Sequence, residues 1–212
     1  MTAAEDAARA AYDEVAGTYA QHIRGTGPER EPELAVLRHA VSLLPSGGRV
    51  LDAGCGAGRL LPVLAGLGIA PEGVDLSPAM VARARADHPG YAVGVAPLAA
   101  LPFDDAAFDA VVAWYSTIHL PDDEVPAALA EVARVTRPGG TVVMAFQSGS
   151  GSRDVAQGFR ERGHDVTLVR HHRSLESMCT LLEQAGLVVD TRLERAPVGR
   201  ERDPQAVVVA RR

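Results

Sequence analysis

Apolar positions recur at helical spacing twice before any strand pattern begins. Tyr12, Val15, Tyr19 and Ile23 fall three and four apart and predict a helix over residues 3–23, broken by the glycines and proline of 25–28. Leu34, Leu37, Val41 and Leu44 share one face of a second predicted helix, 32–44, which Pro45 and the glycines after it end. From Arg49 onward the pattern changes. Short apolar runs at 49–53, 70–75, 91–95, 108–114 and 141–146 predict strands. Between them, 60–67, the segment opened by Ser77 and Pro78, and 122–135 read as helices. Val125, Leu129, Val132 and Val135 form the apolar face of the last of these, and 137–140 reads as a turn. Residues 147–173 break the rhythm with Ser, Gly and many charges, and only 166–170 suggests a strand. A helix over 174–185, stopped by Gly186, and strands at 187–195 and 205–210 complete the chain.

Strands alternating with helices predict a parallel sheet covered on both faces. The last two strands are joined without a helix and must form a hairpin. The expected fold is therefore α/β, a Rossmann-like doubly wound sheet of seven strands, mostly parallel, with one antiparallel edge strand. It is read as a single domain over 1–212, with an N-terminal helical cap at 1–44 and an acceptor-site insert or flap at 147–173. Such sheets take ligands beyond the carboxyl ends of their strands, where strand order reverses. Here that point is the end of the first strand.

Composition narrows the chemistry. The net charge is −6 and no basic run occurs, which argues against a protein that mainly grips nucleic acid. There is no lysine and no asparagine; all 21 cations are arginine. A Walker loop, a Schiff base and N-glycosylation are excluded. Cys55 and Cys179 make neither a disulfide framework nor a metal pair. The first residues hold no apolar signal core, and no segment is long enough to cross a bilayer. A cytoplasmic protein without membrane partners, monomeric or homodimeric, is expected.

The decisive run is Val50-Leu51-Asp52-Ala53-Gly54-Cys55-Gly56-Ala57-Gly58-Arg59-Leu60. A strand ends in an acid, and a Gly-x-Gly-x-Gly turn opens a helix. Glycines let the backbone turn tightly and approach a ligand, and the helix N-terminus offers free N–H groups to an anionic end. Seventeen residues after Gly58, at the end of the second strand, Asp75 can accept hydrogen bonds from a ribose diol. The nicotinamide fingerprint, Gly-x-Gly-x-x-Gly, fits poorly. The third glycine comes one residue early, and Asp52 would repel a pyrophosphate.

This run resembles the first motif of class I S-adenosylmethionine-dependent methyltransferases of the small-molecule type. Gly73-Val74-Asp75-Leu76-Ser77-Pro78-Ala79-Met80 is similar to the family's second motif. Leu101-Pro102-Phe103 before Phe108-Asp109, and Arg134-Val135-Thr136-Arg137-Pro138-Gly139-Gly140, resemble its lead-ins to the fourth and fifth strands. The motifs stand in the family's order along nearly the whole chain. The resemblance implies S-adenosylmethionine as cofactor and S-adenosylhomocysteine as product. It implies that Asp52, Ala53, Gly54, Cys55, Gly56 and Gly58 surround the methionyl part, Asp52 anchoring the ammonium. It puts the ribose on Asp75 and adenine against Leu76 and Met80. Relatives often carry an acid before Leu-Pro-Phe to read adenine; here backbone and apolar contacts around Ala96, Pro97 and Leu98 must serve.

Beyond the fourth strand lie Trp114, Tyr115 and His119. Trp114 is a candidate cover for the sulfonium, by attraction to an aromatic face. His119 is the candidate general base, with Tyr115 beside it. In the leading helix, Tyr12 is a candidate cofactor contact and Tyr19 a lesser one, while His22 is a candidate for the acceptor pocket. His164, His171 and His172 lack metal spacing, and Asp122 and Asp123 suit a helix start, so no metal is expected. Arg170 or Arg173, if functional, would favour an acidic acceptor. The implied function is in-line methyl transfer to an oxygen, nitrogen or carbon nucleophile of a small-molecule acceptor. The alternatives are a protein that binds the cofactor without transferring a methyl group, or an enzyme acting on RNA or protein.

Overall fold

A computed structural model describes residues 1–212 throughout. The chain runs α1 (Ala3–His22), α2 (Glu31–Ser42), β1 (Arg49–Ala53), α3 (Leu61–Gly66), β2 (Ala70–Asp75), α4 (Pro78–Asp87), β3 (Val93–Val95) and β4 (Phe108–Trp114). A single 3-10 turn (Thr117–His119) follows. Then come α5 (Val125–Val135), β5 (Thr136–Gln147), β6 (Ser152–Asp154), α6 (Gln157–Arg160), β7 (Val169–His171), α7 (Leu175–Gln184), β8 (Val188–Arg195) and β9 (Gln205–Arg211).

Seven strands form one sheet in the order β3-β2-β1-β4-β5-β9-β8. The first five are parallel, and β9 runs antiparallel to both β5 and β8. The antiparallel member of the edge pair thus lies one place in from the edge. Strand order reverses between β1 and β4, which pair through Val50↔Ala110 to Asp52↔Val112.

Period-2 alternation divides the apolar residues between the two faces. Val50, Val112, Val143 and Val207 pack with Leu37 and Val41 of α2 and Leu64 of α3. Leu51, Val111, Val142 and Val208 pack with Val125, Leu129 and Val132 of α5 and Met178 and Leu182 of α7. At roughly 1.5–3 kcal/mol for each large side chain buried, these layers dominate the stability of the fold. No helix is long and apolar enough to cross a membrane.

Two stretches differ from expectation. The turn at 137–140 is absorbed into β5 as an irregularity: Phe108 pairs with Thr136, the register shifts, and Ala110 pairs with Thr141. Gly139, at φ 73°, carries the kink. The insert is more ordered than its composition suggests. β6 and β7 form an antiparallel pair, Arg153↔Arg170 at its centre, with α6 between them. Val166, Leu168 and Ala156 pack on Ala11 and Val15 of α1, so insert and leading helix form one small core.

Candidate active site

The carboxyl ends of β1, β2 and β4 open into a cavity of about 740 Å³, within the range of small-molecule sites. Its floor is the glycine turn. Gly54, Gly56 and Gly58 have φ of 83°, 54° and 78°. At Gly54 an added Cβ would lie 2.2 Å from Ser116 Cβ, so the β4 end rests directly on the turn. At Gly56 it would meet only Tyr19 Cε1, at 3.9 Å, because cavity lies beside it.

Asp52, at the end of β1, is 1% exposed, lines the cavity, and its Oδ2 has no hydrogen-bond partner. Burial pushes its carboxyl up to about 7, partly opposed by the nearby Arg59 charge. Asp75, at the end of β2, is held in place by the chain. Its Oδ2 accepts from Gly56 N–H at 2.7 Å and its Oδ1 from Ser77 N–H at 2.9 Å. Burial also raises its pKa, and these N–H bonds oppose the rise. A carboxylate has about four acceptor positions, so lone pairs remain for a ligand. Leu76, Met80, Ala96 and Leu98 supply apolar wall, and Cys55 lines the floor as a buried thiol.

The leading helix closes one side. Asp13 of α1 accepts from Ser77 Oγ at 2.6 Å and from Ala79 N–H at 3.1 Å, which fixes α1 to the start of α4. One residue earlier in the same helix, Tyr12 donates its hydroxyl to His119 Nε2 at 2.8 Å. His119 Nδ1–H donates to the Val169 carbonyl at 2.6 Å, which assigns the tautomer. Burial, and secondarily the charge of Arg170, holds the imidazole down to about 4, against the Val169 hydrogen bond. It is neutral at physiological pH. Burial raises the Tyr12 phenol, which stays protonated.

The segment after α1 is folded onto the site by a buried ion pair. Arg59 donates to Glu29 at 2.6 and 3.0 Å and to the Gly25 carbonyl at 2.6 Å, and Trp114 Nε1 donates to Glu29 at 3.0 Å. The Glu29 side chain is wholly buried. Sequence reasoning missed Glu29 and Asp13. A signal for the former existed: Arg59 opens a helix, where a cation opposes the helix dipole and calls for a counter-ion. Glu29→Gln leaves the guanidinium buried beside a neutral amide. A cost of about 3 kcal/mol, or roughly 6–12 °C in a thermal melt, is expected. Asp87→Ala, which breaks the exposed Arg83 pair, should cost less than about 1 kcal/mol in the same assay.

Tyr12, Asp52, Gly54, Cys55, Gly56 and Asp75 meet around this one cavity, as do Leu76, Met80, Ala96, Leu98, Trp114, Tyr115 and His119. Three expected contacts do not reach its wall. Ala53 is fully buried in the main core. Gly58 turns away toward Ala84 and His88, where its missing side chain permits close packing. Pro97 is also off the wall, leaving Ala96 and Leu98 to line it. Tyr115 is on the wall, but its hydroxyl donates to Gln205 Oε1 at 2.8 Å, which directs it to the β9 side rather than to His119. Its φ of 57° is a left-handed conformation that a large side chain adopts only under constraint. Trp114 lines the cavity with its indole N–H committed to Glu29. Tyr19 faces the glycine turn, whereas His22 bonds the Thr18 carbonyl outside the cavity. His164 bridges Thr18 and Glu14, holding the insert to α1. Arg173 is buried against the Thr117 and Leu120 carbonyls and Asp122. Arg170 faces the cavity.

A reversing parallel sheet, a glycine cradle at the switch point and acids at the ends of β1 and β2 define a nucleotide-type cofactor site of the α/β class. Comparison with known proteins specifies it. Residues 50–140 match a methyltransferase domain family. A malonyl-[acyl-carrier protein] O-methyltransferase of Erwinia pyrifoliae is 31% identical over 176 residues, 80% of this chain and 62% of that protein. A 2-methyl-6-phytyl-1,4-hydroquinone methyltransferase of Synechocystis is 35% identical over 156 residues, 68% of this chain and 48% of that protein. The chain thus spans about half to three fifths of these relatives' lengths. A crystal structure of a SAM-dependent methyltransferase from Methanosarcina mazei superposes with a TM-score of 0.70 at 21% identity, covering 80% of this chain and 94% of that one. The chain carries a methyltransferase domain over residues 50–140 and shares the fold of S-adenosylmethionine-dependent methyltransferases.

Proposed function

We propose that this protein transfers a methyl group from S-adenosylmethionine to a nucleophile of a small-molecule acceptor. The observation that carries the reading is Asp52 Oδ2, a buried carboxylate oxygen without a partner, beside an open glycine cradle and one strand from Asp75. A buried anion without a cation is costly, and an ammonium group is what would relieve it. The bound cofactor would supply a methyl group on a cationic sulfur, open to a single in-line displacement.

The chain's own residues do the rest. Asp52 takes the ammonium. Asp75, pinned by Gly56 and Ser77, takes the ribose hydroxyls on its remaining lone pairs. Leu76, Met80, Ala96 and Leu98 would hold the base by apolar contact, and Trp114 would wall the methyl end. Alignment and exclusion of water are the main contributions. The segment closed by Glu29 and Arg59 serves the second of these. Tyr12 and His119 form a proton path. An acceptor hydroxyl seated on the Tyr12 oxygen passes its proton there as the Tyr12 proton moves to His119 Nε2. One matched relative is named an O-methyltransferase, which suits an oxygen nucleophile.

Asp52 provides the test. Its pKa is about 7 in the fold against 3.8 ordinarily, so the folded chain holds the proton longer. Stability of the ligand-free protein is therefore lost as pH rises from about 4 through 7, by about 4 kcal/mol. His119 acts in the opposite sense. Its value falls from 6.5 to about 4, so its contribution is present above 6.5 and lost as pH falls toward 4. Asp52→Asn removes only the first effect. The variant should match wild type near pH 4, exceed it in stability at pH 8, and bind S-adenosylhomocysteine at least tenfold more weakly at pH 8. Wild-type affinity at pH 8 in the variant would show that the ammonium does not sit on Asp52.

A further inference from the structure

The two ends of the cavity have opposite character. At the glycine turn the charged groups are Asp52, Asp75 and the Glu29–Arg59 pair. At the other end, built by the insert and the β8–β9 connection, stand Arg153, Arg170, Arg200 and Arg202. Four other acids line this side of the cavity and each has its own partner: Asp154 takes Arg160 and the Ala156 and Leu168 N–H groups, Glu201 takes Arg195, Glu161 accepts from Gln157, and Glu5 accepts from the Thr2 N–H. That leaves Asp203, which is buried. Its Oδ2 is shared by Arg153, by Arg170 Nη1 at 3.1 Å and by His172 Nε2 at 3.3 Å. One carboxylate faces two guanidinium groups, so a positive charge stays unbalanced.

Arg170 shows where that charge is available. Only its Nη1 donates a hydrogen bond; Nε is buried without a partner and Nη2 makes no bond. Nε and Nη2 are the side-on edge of a guanidinium, two parallel donors spaced for the two oxygens of a carboxylate. The position is held from both directions. β7 pairs Arg170 with Arg153, and the preceding residue, Val169, fixes His119 through its carbonyl. The Arg170 charge accordingly acts on both Tyr12 and His119. Burial also lowers the pKa of Arg170, as expected for a desolvated cation with half a partner.

We propose that the acceptor carries a carboxylate and that Arg170 grips it through its free Nε–H and Nη2–H edge, placing the rest of the acceptor against Tyr12 and His119. This rests on the methyltransferase reading of the same cavity.

The full chain is titrated with acetate, benzoate and 4-hydroxybenzoate, with the matching amides and with inorganic phosphate. Ionic strength is held constant, and each titration is run with and without saturating S-adenosylhomocysteine. Benzoate or 4-hydroxybenzoate should bind at least tenfold more tightly than its amide. Arg170→Gln should abolish that preference. Arg170→Lys keeps the charge and the Asp203 contact but loses the fork, and should lose most of it. Arg83→Gln, on the exposed face of α4, should keep it. Equal binding of acid and amide, a preference that survives in both Arg170 variants, or phosphate bound more tightly than every carboxylate would overturn the proposal. S-adenosylhomocysteine that stabilises wild type and Arg170→Lys alike, with no acid preference, would sink this inference alone. Failure of S-adenosylhomocysteine to stabilise wild type would sink the underlying reading as well.

Discussion

Asp75→Ala should reduce affinity for S-adenosylhomocysteine by at least a hundredfold while leaving the melting temperature within a few degrees of wild type. Hydrogen bonds to a charged group contribute about 1.5–3 kcal/mol each, so two ribose hydroxyls on one carboxylate are worth about two to four orders of magnitude in Kd. Stability should respond far less. Burial of Asp75 already disfavours its ionised form, so folding gains little net from the charge. The Gly56 N–H lies at the cavity wall, where water can replace the acceptor; Ser77 is buried, and its orphaned N–H accounts for the few degrees of loss. The two effects separate in a calorimetric titration and a melt on the same sample. An unchanged Kd would remove Asp75 from the cofactor site; a collapsed fold would make it a structural carboxylate.

Gly54→Ala should produce the largest loss of stability of any single methyl group added to the turn. Its φ of 83° costs an L-residue about 1–2 kcal/mol, and the new Cβ would fall 2.2 Å from Ser116 Cβ, adding an overpacking cost of about 1–3 kcal/mol or more. A drop of about 10 °C is expected for a chain of this size. Gly68 provides the control. Its φ is 86°, but nothing lies within 4 Å of an added Cβ, so Gly68→Ala should show the conformational cost alone. Equal melting temperatures for the two variants would mean that the β4 end does not press on the turn.

What the sequence revealed and what it hid follow from the range of the interactions. β1, β2 and β4 are short apolar runs with turn residues at their ends, and their local pattern predicts them almost to the residue. The glycine turn is equally local, as is Ser77, whose side chain caps α4. The features that were missed depend on distant partners. Glu29 meets Arg59 across 30 residues and Trp114 across 85; Asp13 meets Ser77 across 64. Nothing near Glu29 marks it as buried. The insert reads as a polar loop because β6 and β7 are three residues each and stable only when paired with one another and packed on α1. The turn at 137–140 was locally sound, but the sheet continued through it by shifting register. Among the residues expected at the site, those placed by backbone position, Asp52, Gly54, Gly56 and Asp75, all line the cavity. Tyr115, whose role depends on where a long side chain points, lies with Gln205 rather than with His119. His119 acquires its partner from a helix more than a hundred residues earlier.

The most direct test of the account is the melting temperature of the wild-type protein with S-adenosylhomocysteine and, separately, with NAD. At a hundred times its dissociation constant, a ligand of the folded state adds about 2.7 kcal/mol, or roughly 5–10 °C here. That shift is expected with S-adenosylhomocysteine and none with NAD. No shift with either, or a shift with NAD alone, would contradict the assignment of the Asp52–Asp75 end of the cavity to a sulfonium nucleoside.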